Sequence, residues 1–98
     1  MDYWLQCSIS PGQFEEEYVV ELRDFQNRLF SLFAPAEYVE WDDRPPYGDH
    51  WEGWIRVKLL ERDRDLMLVH LPKTPLENGP AITVKSSQVV ADRATIAL

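Results

Sequence analysis

The residues best equipped for chemistry crowd into one stretch, from Trp41 to Trp54. It holds Asp42, Asp43, Asp49, His50 and Glu52, a set of oxygen and nitrogen donors of the kind a hard divalent cation takes. Their spacing follows neither a D-x-D-x-D-G loop nor an H-E-x-x-H helix, so the expectation is a solvated acidic loop with no metal and no cofactor. Trp41, Tyr47, Trp51 and Trp54 share the segment, and together with His50 they are the candidate partner- or ligand-binding residues. Large rings carry much of the energy of binding surfaces. Rings in a loop either fold back to close the end of a core or meet a partner.

Elsewhere the chemistry is sparse. Cys7 is the single cysteine; His50 and His70 are the only bases that would activate it, and the alternation around Cys7 turns it inward. Ser86 and Ser87 stand in a turn without a catalytic signature, and there is neither a glycine-rich phosphate loop nor a CxxC pair. The sequence therefore assigns no catalytic residue, and an enzyme or metal-binding protein of unnamed substrate is the third reading of its function. Arg56, Lys58 and Arg62, with Arg64 at a hairpin tip and Trp54 at the base, read as a basic strip on one strand face. That is the arrangement single-strand nucleic-acid binders use. Against it stands a net charge of −7, concentrated in the first half. Residues 1–54 carry twelve acids and three bases, which repel a phosphate backbone at long range. The basic strip reads better as a charged outer sheet face, and nucleic acid is the alternative function.

The elements that must position these groups follow a period of two. Tyr3, Leu5, Cys7 and Ile9 share a face, and Pro11-Gly12 turns the chain. Strands follow over 17–25 and 29–34, the latter ended by Pro35, and the sharpest alternation runs from Trp54 to Arg62. Leu66–Leu71 and Ala81–Lys85 complete a set of five or six strands, with one-turn helices expected at 35–39 and 86–89. Pairing Leu59 with Val69 and Glu61 with Met67 leaves residues 63–65 as a three-residue loop with Asp65 left-handed. This register exposes Lys58 and His70. Short strands in successive hairpins hide their edges best in a small SH3-like or OB-like antiparallel barrel, or in a strongly twisted sheet. The 98 residues fit one all-β domain.

Ser10-Pro11-Gly12-Gln13-Phe14, then Glu17-Tyr18, Phe30-Ser31-Leu32-Phe33-Ala34-Pro35 and Ile82-Thr83-Val84-Lys85 resemble short, uncharacterised bacterial proteins, some encoded on mobile integron gene cassettes. The resemblance implies a compact bacterial β protein and carries no catalytic residues. The unpaired cysteine and the absence of a basic, apolar leader fit the cytoplasm, and no apolar run is long enough for a membrane. The expected function is a non-catalytic module that acts by self-association, as a homo-oligomer, and by binding a protein or small molecule.

Overall fold

A computed structural model describes residues 3–41, 50–77 and 79–91. The described chain is all-β: β1 (Tyr3–Pro11), β2 (Glu17–Arg23), β3 (Leu29–Pro35), β4 (Val39–Glu40), β5 (Trp51–Asp63), β6 (Leu66–His70), β7 (Ala81–Lys85) and β8 (Val89–Ala91). Single 3₁₀ turns, Ala36–Tyr38 and Ser86–Gln88, precede β4 and β8. All pairings are antiparallel, in the order β3-β2-β1-β5-β6-β7, with β4 added to β5 and β8 to β1. Among the described residues no helix is long and apolar enough to cross a membrane.

Alternation gathers Leu5, Cys7, Ile9, Val20, Leu22, Leu32, Ile55, Val57, Val69, Ile82 and Val84 into one core. Each such aliphatic side chain contributes roughly 1.5–3 kcal/mol when fully buried. The sheet curls until its outer strands are met by loops of the opposite half. Phe25 N–H donates to Thr83 O of β7 (2.9 Å), and Leu76 N–H donates to Ser31 O of β3 (2.8 Å). These bonds occupy edge groups that would otherwise invite another chain.

The two halves repeat each other about fifty positions apart. Leu5 faces Ile55 across the central β1–β5 pair; Val39 of β4 also pairs with Ile55, and Val89 of β8 pairs with Leu5. Backbone angles agree at corresponding positions, with Val39 at φ −125° and Val89 at φ −124°. The Ala36 N–H bond to Glu16 O is matched by Ser86 N–H to Asp65 O, both 2.7 Å. Each half is thus completed by a short strand contributed across the pair: β4 extends β5, and β8 extends β1.

The β5–β6 hairpin departs from the expected register. Lys58 pairs with His70 and Leu59 with Val69 as anticipated, and both Lys58 and His70 are exposed. A bulge at Leu60 then shifts the ladder, so that Glu61 meets Leu68 and Arg62 meets Met67. The hairpin closes on two residues, Arg64-Asp65, and Arg64 rather than Asp65 takes the left-handed conformation (φ 59°). One extra residue in the ladder does the work assigned to a longer loop. The Trp41–Trp54 segment also contains less loop than its glycines and aromatics suggest, because Trp51, Glu52, Gly53 and Trp54 begin β5.

The β2–β3 loop is organised by one carboxylate. Asp24 Oδ1 accepts the N–H groups of Gln26 (2.9 Å) and Arg28 (2.8 Å), and Oδ2 accepts Arg28 Nε (2.8 Å). Removal from solvent pushes this carboxyl upward. The backbone N–H and guanidinium of Arg28 and the N–H of Gln26 outweigh that effect and hold it below its ordinary value.

Two expectations follow. Gly53 lies opposite Cys7, and a Cβ there would come within 2.6 Å of Glu40 O and 2.4 Å of Ile9 Cδ1. The Gly53→Ala variant is expected to lose about 1–3 kcal/mol in urea unfolding through overpacking; wild-type stability would show that β4 yields easily. The Asp24→Ala variant is expected to lose about 1–3 kcal/mol at neutral pH. Because the native carboxyl is lowered, its contribution is whole above the unfolded value of about 3.9 and fades as pH falls through the native one. Stability curves of the two proteins should therefore converge in acid, and parallel curves would remove Asp24 as the organising group.

Candidate functional site

The candidate binding residues divide between two faces. Trp51 lies opposite Ile9, on the inward face, and Trp41 follows β4 with the same inward parity. Both pack against the core, and their rings meet edge-on at 5.3 Å between centroids. Tyr18 completes the group, 5.5 Å from Trp41 and 6.1 Å from Trp51, both edge-on. Such contacts are worth roughly 0.5–1.5 kcal/mol each beyond area burial. Three half-buried rings thus close one end of the curled sheet. The Trp51 indole Nε1 is buried there, with no acceptor among the described residues.

Tyr18 escaped sequence reasoning because it sits mid-alternation in β2, where a ring reads as ordinary core. Trp54 belongs elsewhere: it stands on the outer face, paired with Gln6 on β1 and Glu40 on β4. His50 is exposed just before β5. Tyr47 lies outside the described residues, as do Asp42, Asp43 and Asp49 of the acidic donor set. Among the described residues no three His, Cys, Asp or Glu side chains come together as metal ligands.

The basic strip is broken by the bulge. Arg56 and Lys58 face outward, but beyond Leu60 the parity reverses, and Arg62 pairs with Met67, whose side chain is in the core. Glu61 and Asp63 take the outward positions instead, opposite Leu68 and Leu66. Arg62 and Arg64 are both exposed but do not extend the row begun by Arg56. Arg56 is itself engaged, with its guanidinium 5.5 Å from the Trp4 ring and 5.7 Å from the Tyr38 ring and Nη2 donating to Glu37 O (3.2 Å). This cover explains how Trp4 stays 94% buried on an outer sheet face, with only 6% exposed.

Cys7 is buried opposite Gly53. Burial, with a smaller push from the Glu52 carboxylate, drives its thiol far above the ordinary range. A thiol so held is a small hydrophobe and not a nucleophile. His70, on the outer face of β6, points away from the layer that contains it.

Two grooves open where the sheet changes partners. On β1, residues 3–5 pair with β8 and residues 8–11 with β2, leaving a groove of about 620 Å³ bordered by Gln6, Ser8, Glu21, Glu52, Lys85 and Gln88. On β5, between the partners β4 and β6, lies its counterpart of about 240 Å³, bordered by Tyr38, Arg56, Lys58, His70 and Pro72.

No family model, curated protein or solved structure matches the chain.

The ring cluster makes a direct expectation. Trp51→Ala should lower unfolding stability by about 2 kcal/mol, from lost burial and two ring contacts. A change within about 0.5 kcal/mol, the range of neutral surface substitutions, would place the ring outside the core.

Proposed function

We propose that this protein is a non-catalytic, SH3-like binding module that works in the bacterial cytoplasm by self-association and by capturing a protein or small-molecule partner at its aromatic end. The observation that carries this reading is the half-exposed cluster of Tyr18, Trp41 and Trp51, with the Trp51 N–H buried and unanswered among the described residues. A buried donor without an acceptor costs about 1–3 kcal/mol, a cost that an incoming carbonyl or carboxylate relieves.

Several further features support association. Phe33 and Leu29 of edge strand β3 are 45% and 43% exposed, and Leu76, bonded through its backbone to that strand, is 71% exposed. Apolar groups so exposed on an edge are a common basis for contact between copies. The lack of catalysis fits a thiol sealed in the core and two histidines that stand apart on the surface. The single unpaired cysteine fits a reducing compartment.

Light scattering coupled to size exclusion, run across tens of micromolar, is expected to give a mass above that of one chain, falling on dilution as mass action requires. A constant single-chain mass over that range would overturn self-association. Binding at the aromatic end is read separately, as a change in tryptophan emission on adding a partner.

A further inference from the structure

The basic side chains of the β5 groove have no counterions. Arg56, Lys58 and His70 border it together, the Tyr38 ring and Pro72 wall it, and no acid is among its lining residues. Such a place stands out in a chain with 17 acids against 10 bases. Lys58 is directly opposite His70 on the exposed face, and neither makes an ion pair or hydrogen bond among the described residues. Nitrogen donors so paired gain nothing from one another.

Arg56 is fixed where the other two are free. Its guanidinium lies beside the rings of Trp4 (5.5 Å) and Tyr38 (5.7 Å), and Nη2 donates to Glu37 O. The rest of the fork is unanswered: Nε is buried and, like Nη1, meets no acceptor among the described residues. A guanidinium already held in one geometry costs a ligand little further ordering.

The internal repeat shows what the frame itself requires. Fifty positions away the same frame is built with Gln6 for Arg56, Ser8 for Lys58 and Gln88 for Tyr38. By strand register, Glu21 stands there in the place of His70. Packing explains Arg56 in part, because it covers Trp4. It explains neither Lys58 nor His70, and β5 is a central strand, so Lys58 guards no sheet edge.

We infer that the β5 groove binds the phosphoryl group of a small phosphate monoester, its oxygens taken by Arg56, Lys58 and His70. The organic body lies along Tyr38 and Pro72. Three acceptor oxygens and a charge of about −1.5 to −2 suit three separate donors, whereas one guanidinium fork satisfies a carboxylate. The groove, about 240 Å³, is smaller than a drug-sized site and takes a short ligand. It opens on the outer sheet face, apart from the aromatic end, so its failure would leave capture at that end untouched.

The test is an amide-shift titration of the full chain at low salt with phenyl phosphate, inorganic phosphate, benzoate and a hexathymidylate strand. The expected result is saturable shifts at Tyr38, Arg56, Lys58 and His70 with phenyl phosphate, at a dissociation constant on the order of millimolar. Inorganic phosphate and benzoate should bind more weakly. Lys58→Ser and His70→Ala, both at exposed positions, should each weaken phenyl phosphate at least about threefold, and added salt should do the same. Absence of saturation, or binding untouched by both variants, overturns the site. Benzoate equal to phenyl phosphate overturns the phosphoryl assignment, and inorganic phosphate equal to it overturns the monoester in favour of the free ion. A hexathymidylate more than about tenfold tighter than phenyl phosphate, with a steep salt dependence, overturns the small molecule in favour of a nucleic-acid strand.

Discussion

The whole architecture hangs on the antiparallel pairing of β1 with β5. Seven residue pairs, from Tyr3–Val57 to Ile9–Trp51, form the one ladder that both halves share. Four strands join it directly, β2 and β8 along the free edge of β1 and β4 and β6 along that of β5, while β3 and β7 follow through β2 and β6. Such a seam requires close backbone approach. At Gly53 there is no room for even a methyl group between Ile9 and the Glu40 carbonyl. Partner changes along each edge open the grooves, and the loops that follow β2 and β6 help to wall them.

Near-symmetry makes the differences between halves informative. By the offset that relates the core, Trp41 corresponds to Ala91, and by strand register Tyr18 falls in the place that Met67 holds in β6. The three-ring closure therefore has no equivalent at the other end. Likewise Arg56 and Lys58 of one groove give way to Gln6 and Ser8 in the other. A duplicated frame needs one set of residues for packing; where the copies diverge on exposed faces, packing does not account for the choice.

Much of the frame was legible from alternation alone. The strands at 3–9, 29–34, 66–71 and 81–85, and both 3₁₀ turns, follow directly from period-two patterns and their punctuation by Pro35 and Ser86. Less visible were β4 and β8, because two or three residues are too few to show a period. The bulge at Leu60 could not be read either. Parity fixes a register only if no residue is skipped, and Leu59-Leu60 is apolar at both positions. That single unreadable event undid the basic strip, which rested on Arg62 sharing a face with Arg56. The aromatic site was half legible: Trp41 and Trp51 stand out by type, but Tyr18 joins them only through the fold. Trp54, adjacent in sequence, points the other way. The repeat left a faint trace, since Trp4/Trp54 and Val39/Val89 are identical at the same spacing, while the strand between them keeps only aliphatic character.

The pairing of Leu5 with Val89 bears on how the chain reaches this state. Native contacts here are dominated by partners far apart in sequence, so loop-closure entropy is met before most of the core can reward it. Neither half can bury its own face alone, because the strand that completes each one is delivered by the other. Folding should accordingly be a single, comparatively slow event on the millisecond-to-second scale, with hairpins β2–β3 and β5–β6 as fleeting local structure. The exposed apolar rows of β3 would then be at their most adhesive before closure.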